Sequence, residues 1–309
     1  MTARWRPSAT IENLQQRGEI LWKIREFFRQ RGICEVHTPV VGSHTVSDPN
    51  IESVRLANGK FLQTSPEYFL KRLLAAGMPS CYQLGPVFRK GETGRWHTPE
   101  FTMLEWYHLG FTSSELRQEV IDLVELVLGP SEVGEFTFRD FLFQEFQLDC
   151  FECSDEDLLN TARANGYSND FRRAEVLDFL YSSAIEKNRD SRYFVLDFPT
   201  ESSALAEVRE RDGHQVADRF ELIVEGLEIA NGYNELRDPI ELEQRMERDR
   251  TLRKQLGRTD VEKDHRLIEA MESGLPQCAG VAVGLDRLVA VAVGAEIVQQ
   301  VLTFAQDQI

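Results

Sequence analysis

Two runs of strand-forming residues, CYQLGPVF at 81–88 and FTMLEWYHL at 101–109, are joined by a polar segment too long for a tight turn. Neighbouring β-prone runs connected in this way read as antiparallel strands with a long loop displayed at one end of the sheet. The loop gathers Arg89, Lys90, Arg95 and His97, with Glu100 and Glu105 close behind. That cluster runs against the rest of the chain, whose 35 Lys+Arg and 51 Asp+Glu give a net charge of −16. An extended nucleic-acid footprint requires a basic face, so the loop is expected to receive a small anion instead.

The flanking segments predict helices and strands in an α+β order. RGEILWKIREFFRQR (17–31) places Ile20, Leu21, Ile24, Phe27 and Phe28 on one helical stripe, with Gly32 as its stop. ICEVHTPVV (33–41) reads as a strand with Pro39 at an edge or end. Ser65, Pro66 and Glu67 suit the start of a helix over 66–76, and Thr112 with Glu115 suits a capping box for a helix reaching Leu128. Residues 136–190 read as mostly helical, YFVLDF (193–198) and 218–236 as strands, 239–256 and 262–273 as helices, and CAGVAVGLDRLVAVAVG as a strand entering a helix. One catalytic-type domain over 1–309, with 136–190 as a helical insertion, is the expected organisation.

No apolar run long enough to cross a membrane occurs, and the N-terminal segment lacks the apolar core of a signal peptide, so a cytoplasmic protein is expected. The 5 cysteines (34, 81, 150, 153 and 278) show no paired metal spacing and are read as reduced thiols.

FELIVEGLEIANGYNEL holds a second charged cluster: Glu221, Glu225, Glu228 and Glu235. A two-residue Glu225-Gly226 turn sets residue 223 opposite 228, and period-two alternation brings Glu221 to the same face. Two converging carboxylates suit a divalent cation such as Mg²⁺ held with phosphates. Glu235, an odd spacing beyond Glu228, needs a bulge or turn at Asn231-Gly232 to share that face. The pattern alone leaves open a solvated acidic face. Neither a GxxxxGK[ST] nor a GxGxxG motif occurs, so the basic loop and the acidic hairpin are read together as parts of a nucleotide-triphosphate site outside the P-loop and Rossmann classes.

Together these segments resemble a class II aminoacyl-tRNA synthetase catalytic domain of the lysyl branch. Residues 17–41 resemble motif 1, FRKGETGRWHTPEFTMLEWY motif 2, and GVAVGLDRL motif 3. The resemblance implies an antiparallel sheet flanked by helices, ATP with Mg²⁺, and a homodimer built on motif 1. By position, Arg89 and Arg287 are the implied catalytic cations, and Lys90, Gly91, Glu92, His97, Thr98, Phe101, Ile229 and Gly284 lie along the nucleotide, with Phe101 under the adenine. Glu221 and Glu228 carry the metal. Ser65, Pro66, Glu67, Glu105, Tyr107, Glu235 and Ala282 form the amino-acid site, with Tyr107 and Glu235 at the side-chain ammonium.

Three departures narrow the resemblance. Motif 1 begins close to Met1, which leaves no place for the anticodon-reading module of a lysyl-tRNA synthetase and implies no extended tRNA contact. Ser65 and Ala282 stand where lysyl enzymes carry other small residues, and with SPEY, GRWHTPEFTMLEWY and EIANGYNEL they are similar to the elongation factor P β-lysine ligase family. The implied reaction activates (R)-β-lysine or lysine as an adenylate and transfers it to a lysine of elongation factor P. Finally, Gly91 occupies the place of the usual motif 2 glutamate, so either Glu92 takes over the adenine contact or that contact is lost. An α-lysine-activating enzyme with another acceptor, and a nucleotide or amino-acid sensor without turnover, are the alternatives.

Overall fold

The computed structural model describes residues 5–189 and 191–308. The first part of the chain contains α1 (Ile11–Gln30), β1 (Cys34–Glu35), β2 (Val41–Gly42), β3 (Phe61–Leu62), α2 (Glu67–Ala75), β4 (Cys81–Phe88), β5 (Glu100–Leu109) and α3 (Ser113–Leu128). There follow β6 (Val133–Thr137), α4 (Phe138–Phe146), α5 (Asp155–Ala164), α6 (Arg173–Lys187), β7 (Arg192–Pro199), β8 (Val208–Arg211), β9 (His214–Val224) and β10 (Leu227–Asn234). The chain ends with α7 (Pro239–Gln255), α8 (His265–Glu272), β11 (Cys278–Gly284), α9 (Leu285–Ala292) and short 3-10 turns. It divides into two compact units, one built from the residues to Pro130 and from Arg237 onward, the other from Ser131–Leu236. The α+β expectation holds.

In the first unit β1 runs parallel to β4, while β4 with β5 and β5 with β11 are antiparallel. Alternation gives this sheet two unlike faces. Leu84, Leu104, Trp106, Val281 and Val283 are buried on one, where Phe28 of α1 stacks on Tyr82 at 4.3 Å and meets Trp106 edge-on at 5.3 Å. Each fully buried ring contributes about 2–3 kcal/mol through lost apolar exposure. Gln83, Phe101, Glu105, Tyr107 and Ala282 occupy the opposite face. α1 begins earlier than its apolar stripe suggests, because the Thr10 hydroxyl accepts the Asn13 N–H at its N-terminus.

The expected continuous strand over 33–41 is broken. Pairing along β4 continues to Val36, whose N–H donates to the Tyr82 carbonyl. The Thr38 N–H then turns to the Gln83 side chain and Pro39 has no N–H to offer, so extended pairing resumes only in the β2–β3 ribbon.

In the second unit β7 lies between a parallel β6 and an antiparallel β9, and β9 also pairs with β8 and β10. Helices α4, α5 and α6 cover the sheet through a core that includes Phe138, Leu142, Leu158, Leu180 and Ile223. These helices fulfil the helical reading of 136–190, except that its start belongs to β6 and residue 190 lies outside the described residues. Among the described residues no helix is long and apolar enough to cross a membrane.

Candidate active site

The predicted antiparallel pair forms, and residues 89–99 are its loop. The Arg89 N–H donates to the Pro99 carbonyl at 2.8 Å and the Lys90 N–H to the Glu52 carbonyl at 2.7 Å, which fixes the loop's base while the Lys90 side chain stays exposed. The Arg89 guanidinium lies 5.1 Å from the centre of the Phe101 ring, and its Nη1 is 3.6 Å from a Glu92 oxygen. Gly91 has φ +83°, a left-handed conformation that a glutamate would adopt only under strain. The glycine follows from the loop's path, and Glu92 is the acid that turns back to Arg89. Thr98 is buried, its hydroxyl donating to the Glu100 carbonyl.

Gly284 lies opposite Met103, so α9 leaves β11 at the same end of β5 that carries Phe101. From there the Arg287 Nε donates to the Trp96 carbonyl at 3.2 Å, and Nη2 donates to His97 Nε2 at 2.5 Å. The two predicted motif arginines are thereby joined to one loop.

Further along the same face of β5 is a buried polar cluster. The Ser65 hydroxyl accepts the Glu67 N–H at 3.0 Å, which starts α2 after Pro66, and donates to Glu105 Oε2 at 2.6 Å. The Tyr107 hydroxyl donates to Glu105 Oε1 at 2.9 Å. Burial, followed by the negative charge of Glu67, pushes the Glu105 carboxyl up to about 8, although the Ser65 and Tyr107 hydroxyls and the charge of Lys71 favour its ionised form. Ala282 is directly opposite Glu105 in register, so its methyl group shares a face with the Glu105 side chain. Lys71, which the sequence reading did not single out, pairs with Glu67 at 2.7 Å.

The acidic hairpin lies in the second unit. Its turn has both central residues left-handed, Glu225 at φ 51° and Gly226 at φ 75°, and Glu228 faces Ile223 as expected. The register then shifts between Glu228 and Ala230, so the bulge falls at Ile229 and not at Asn231-Gly232. This shift sets Asn231 opposite Glu221, where its Nδ2 donates to Glu221 Oε1 at 3.1 Å and to Glu228 Oε1 at 3.4 Å. Alternation from Asn231 carries the buried Glu235 back toward this face.

The Arg219 guanidinium also donates to Glu221 Oε1, and the Tyr181 hydroxyl to Oε2 at 2.8 Å. Burial and then the neighbouring Glu228 charge push the Glu221 carboxyl up to about 7, against the pull of Arg219 and Tyr181. A divalent cation would relieve this repulsion, and Oε2 retains a second lone-pair direction for it. Among the described residues no group of three or more His, Cys, Asp or Glu side chains forms a self-sufficient metal site. The paired carboxylates of Glu221 and Glu228 fit a divalent cation such as Mg²⁺. Sequence reasoning missed Asn231, whose signal lay inside the quoted hairpin, and Tyr181, which comes from a helix with no local pattern to mark it.

The sequence matches the family model described as tRNA synthetases class II (D, K and N) over residues 2–308. It is 41% identical to an elongation factor P--(R)-beta-lysine ligase of Histophilus somni over 99% of each chain. Ligases of the same name from Vibrio parahaemolyticus and Haemophilus ducreyi are 40% and 39% identical, covering 98% of this chain and 98% and 97% of theirs. The chain therefore belongs to the class II tRNA synthetase family, among its elongation factor P--(R)-beta-lysine ligases.

Proposed function

We propose that this ligase activates (R)-β-lysine with ATP and transfers the β-lysyl group to the ε-amino group of a lysine on elongation factor P. The observation that carries this reading is the odd-numbered face of β5, which presents Phe101 beside Arg89 at one end and Glu105 with Tyr107 at the other. At about 3.4 Å per residue, Phe101 and Tyr107 lie roughly 20 Å apart along the strand, room for an extended aminoacyl-adenylate.

In the first step the amino-acid carboxylate attacks the α-phosphorus and pyrophosphate leaves. Arg89 holds the α-phosphate and the attacking carboxylate, Phe101 stacks on adenine, and Arg287 with His97 takes the terminal phosphates. Lys90, Glu92, Thr98, Ile229 and Gly284 shape the nucleotide's surroundings. Glu67, Glu105 and Tyr107, beside Ser65 and Pro66, are assigned to the substrate's ammonium groups, and Glu235 is assigned to the side-chain ammonium. Glu221 and Glu228 would hold Mg²⁺, which would supply charge neutralisation on the phosphates. In the second step the acceptor's uncharged amine attacks the acyl carbon, AMP leaves, and an amide forms. No protein nucleophile is required, because positioning and charge compensation lower the barrier. The Ala282 methyl group, on the same face as Glu105, sets which amino-acid backbone fits.

The net charge of −16 disfavours extended tRNA contact. Trp22 on α1 and Val41 on β2, 63% and 40% exposed, support a homodimer through the motif 1 region, and the setting is cytoplasmic. Incubation with ATP, Mg²⁺, (R)-β-lysine and elongation factor P should add one β-lysyl mass to the factor. Absence of that mass alongside efficient aminoacylation of tRNA would refute the reading. Pyrophosphate exchange with α- and β-lysine in parallel ranks the substrates.

A further inference from the structure

We infer that Cys34 and Cys81 form a dithiol that hydrogen peroxide closes to a disulfide, a modification site on the Glu105 face of the sheet whose closed form binds the amino acid more weakly. Only the effect on binding rests on the proposed amino-acid site; the linkage itself does not.

The two cysteines are directly opposite each other in the parallel ladder of β1 with β4. The Cys34 N–H secures that register by donating to the Ser80 carbonyl at 3.2 Å, and the Val36 N–H by donating to the Tyr82 carbonyl at 2.8 Å. Partners in such a ladder stand about 4.8 Å apart with their side chains on one face, inside the range of about 4.4–6.8 Å between Cα atoms that a disulfide spans. The face is that of Glu105 and Tyr107, because Cys81 lies opposite Tyr107 in register. Through Phe28 on Tyr82, α1 covers the other face. β1 is two residues long and stands at the end of the strand order, so it can draw toward β4 as the bond closes. Cys278 shares the face but pairs across the far side of β5, two strand spacings or roughly 10 Å from Cys81 and out of its reach.

The surroundings give the two thiols different parts. Cys34 is exposed, whereas Cys81 is fully buried. Burial first, then the nearby Cys34 and Glu105 charges, push the Cys81 thiol up to about 11, so it stays protonated at neutral pH and does not meet an oxidant on its own. Cys34 therefore reacts first. Its thiolate attacks one oxygen of the peroxide and keeps it as S–OH, while the O–O bond breaks and the other oxygen leaves as hydroxide, which is protonated to water. The Cys81 sulfur then attacks Cys34 Sγ and gives up its proton, the S–O bond breaks, and a second water leaves. Two thiols lose two electrons and two protons, and the peroxide becomes two waters. Thiol reductants reverse the bond.

Closure turns the Cys81 sulfur toward β1 and away from Tyr107, whose hydroxyl donates to Glu105. That pair thereby loses a cross-strand neighbour. Arg89 and Phe101, at the other end of β5, keep theirs.

Peptide mapping of the full chain without reductant, after treatment with hydrogen peroxide, should show residues 34 and 81 in one linked species, lighter than the sum of its peptides by two hydrogens and separated by dithiothreitol. In pyrophosphate exchange the KM for (R)-β-lysine or L-lysine should rise on the order of tenfold or more while the KM for ATP stays unchanged, and dithiothreitol should restore it. Cys34→Ser, a change at an exposed position, should keep its reduced-state KM values in peroxide, which separates the linkage from oxidation elsewhere. Cys34 found only as sulfinic or sulfonic acid, or joined to a second chain, with Cys81 still a free thiol, would overturn the dithiol. A linked species with an unchanged KM for the amino acid would overturn its action on the pocket. Absence of exchange with either amine in the reduced protein would instead remove the amino-acid site, and the linkage would still be decided by mass.

Discussion

Arg253 is the most informative residue to change outside the proposed chemistry. It is 1% exposed on α7, and its guanidinium donates to the carbonyls of Asp48, Ile51 and Thr259 at 2.8 Å each and to the Glu52 carboxylate at 2.6 Å. The Glu52 carbonyl in turn accepts the Lys90 N–H, so the guanidinium holds the segment that fixes the backbone next to Arg89. Arg253→Met keeps much of the volume and removes every donor. Breaking a buried ion pair by deleting one partner costs about 3–5 kcal/mol, because the remaining charge and carbonyls lose their compensation. If that cost falls on local opening of the 48–52 segment, hydrogen exchange there and at the Lys90 amide should accelerate at least about 100-fold. Mass spectrometry of peptides covering 48–56 and 86–95 reads this directly, and the KM for ATP in pyrophosphate exchange should rise in parallel. Exchange within about threefold of wild type in both peptides would refute the claim that this arginine holds the motif 2 loop in place.

Other changes test separate steps. At Gly91 an added Cβ would meet nothing within 4 Å, so Gly91→Ala isolates the cost of φ +83°; a penalty of about 1–2 kcal/mol corresponds to a roughly 5- to 30-fold higher KM for ATP, measured by pyrophosphate exchange. The Glu221 carboxyl, raised to about 7, should make Mg²⁺ compete with a proton, so half-saturating Mg²⁺ falls as pH rises from about 6 to 8. Because the folded group binds its proton more tightly than an ordinary glutamate, its contribution to metal-free stability declines as pH climbs toward 7; thermal unfolding with and without Mg²⁺ checks the sign. Tyr181→Phe removes a donor to the ionised form and should move the Mg²⁺ profile to higher pH. Ala282→Gly removes a methyl group on the Glu105 face and should shift the ratio of kcat/KM values toward α-lysine by about 10- to 200-fold.

What the sequence disclosed and what it withheld follow from the range of the interactions. The β4–loop–β5 unit, the Thr112 capping box and the hairpin turn rest on neighbours in the chain, and each appears where its pattern placed it. The 33–41 strand failed because Thr38 gives its N–H to Gln83, a partner more than forty residues away that no local period reveals. The Ile229 bulge was misplaced for a related reason. Turn residues at Asn231-Gly232 advertise a bend, whereas the register shift is settled by Asn231 binding two carboxylates. Tyr181 and Arg253 could not be read at all, since their partners come from distant segments. Lys71 was within reach, because a glutamate four residues before a lysine on an apolar helix is a local pair whatever its burial.

The burial of that polar cluster raises the question of what keeps it from rearranging. Glu105 and Tyr107 lie on β5, and the residue between them points the other way: Trp106 is fully buried, and its indole N–H donates to Glu119 of α3 at 2.9 Å. The same carboxylate lies 3.2 Å from His108, and Arg31 approaches its other oxygen at 3.5 Å. The polar face is therefore held through the apolar one, since turning Glu105 away from Ser65 requires rotating a strand whose next side chain is pinned in the core. Such a strand can keep a carboxyl group in an unfavourable setting because relaxation would expose Trp106, at a cost of about 3 kcal/mol or more. A loop-borne glutamate would relax toward water, and its proton would already be lost at neutral pH.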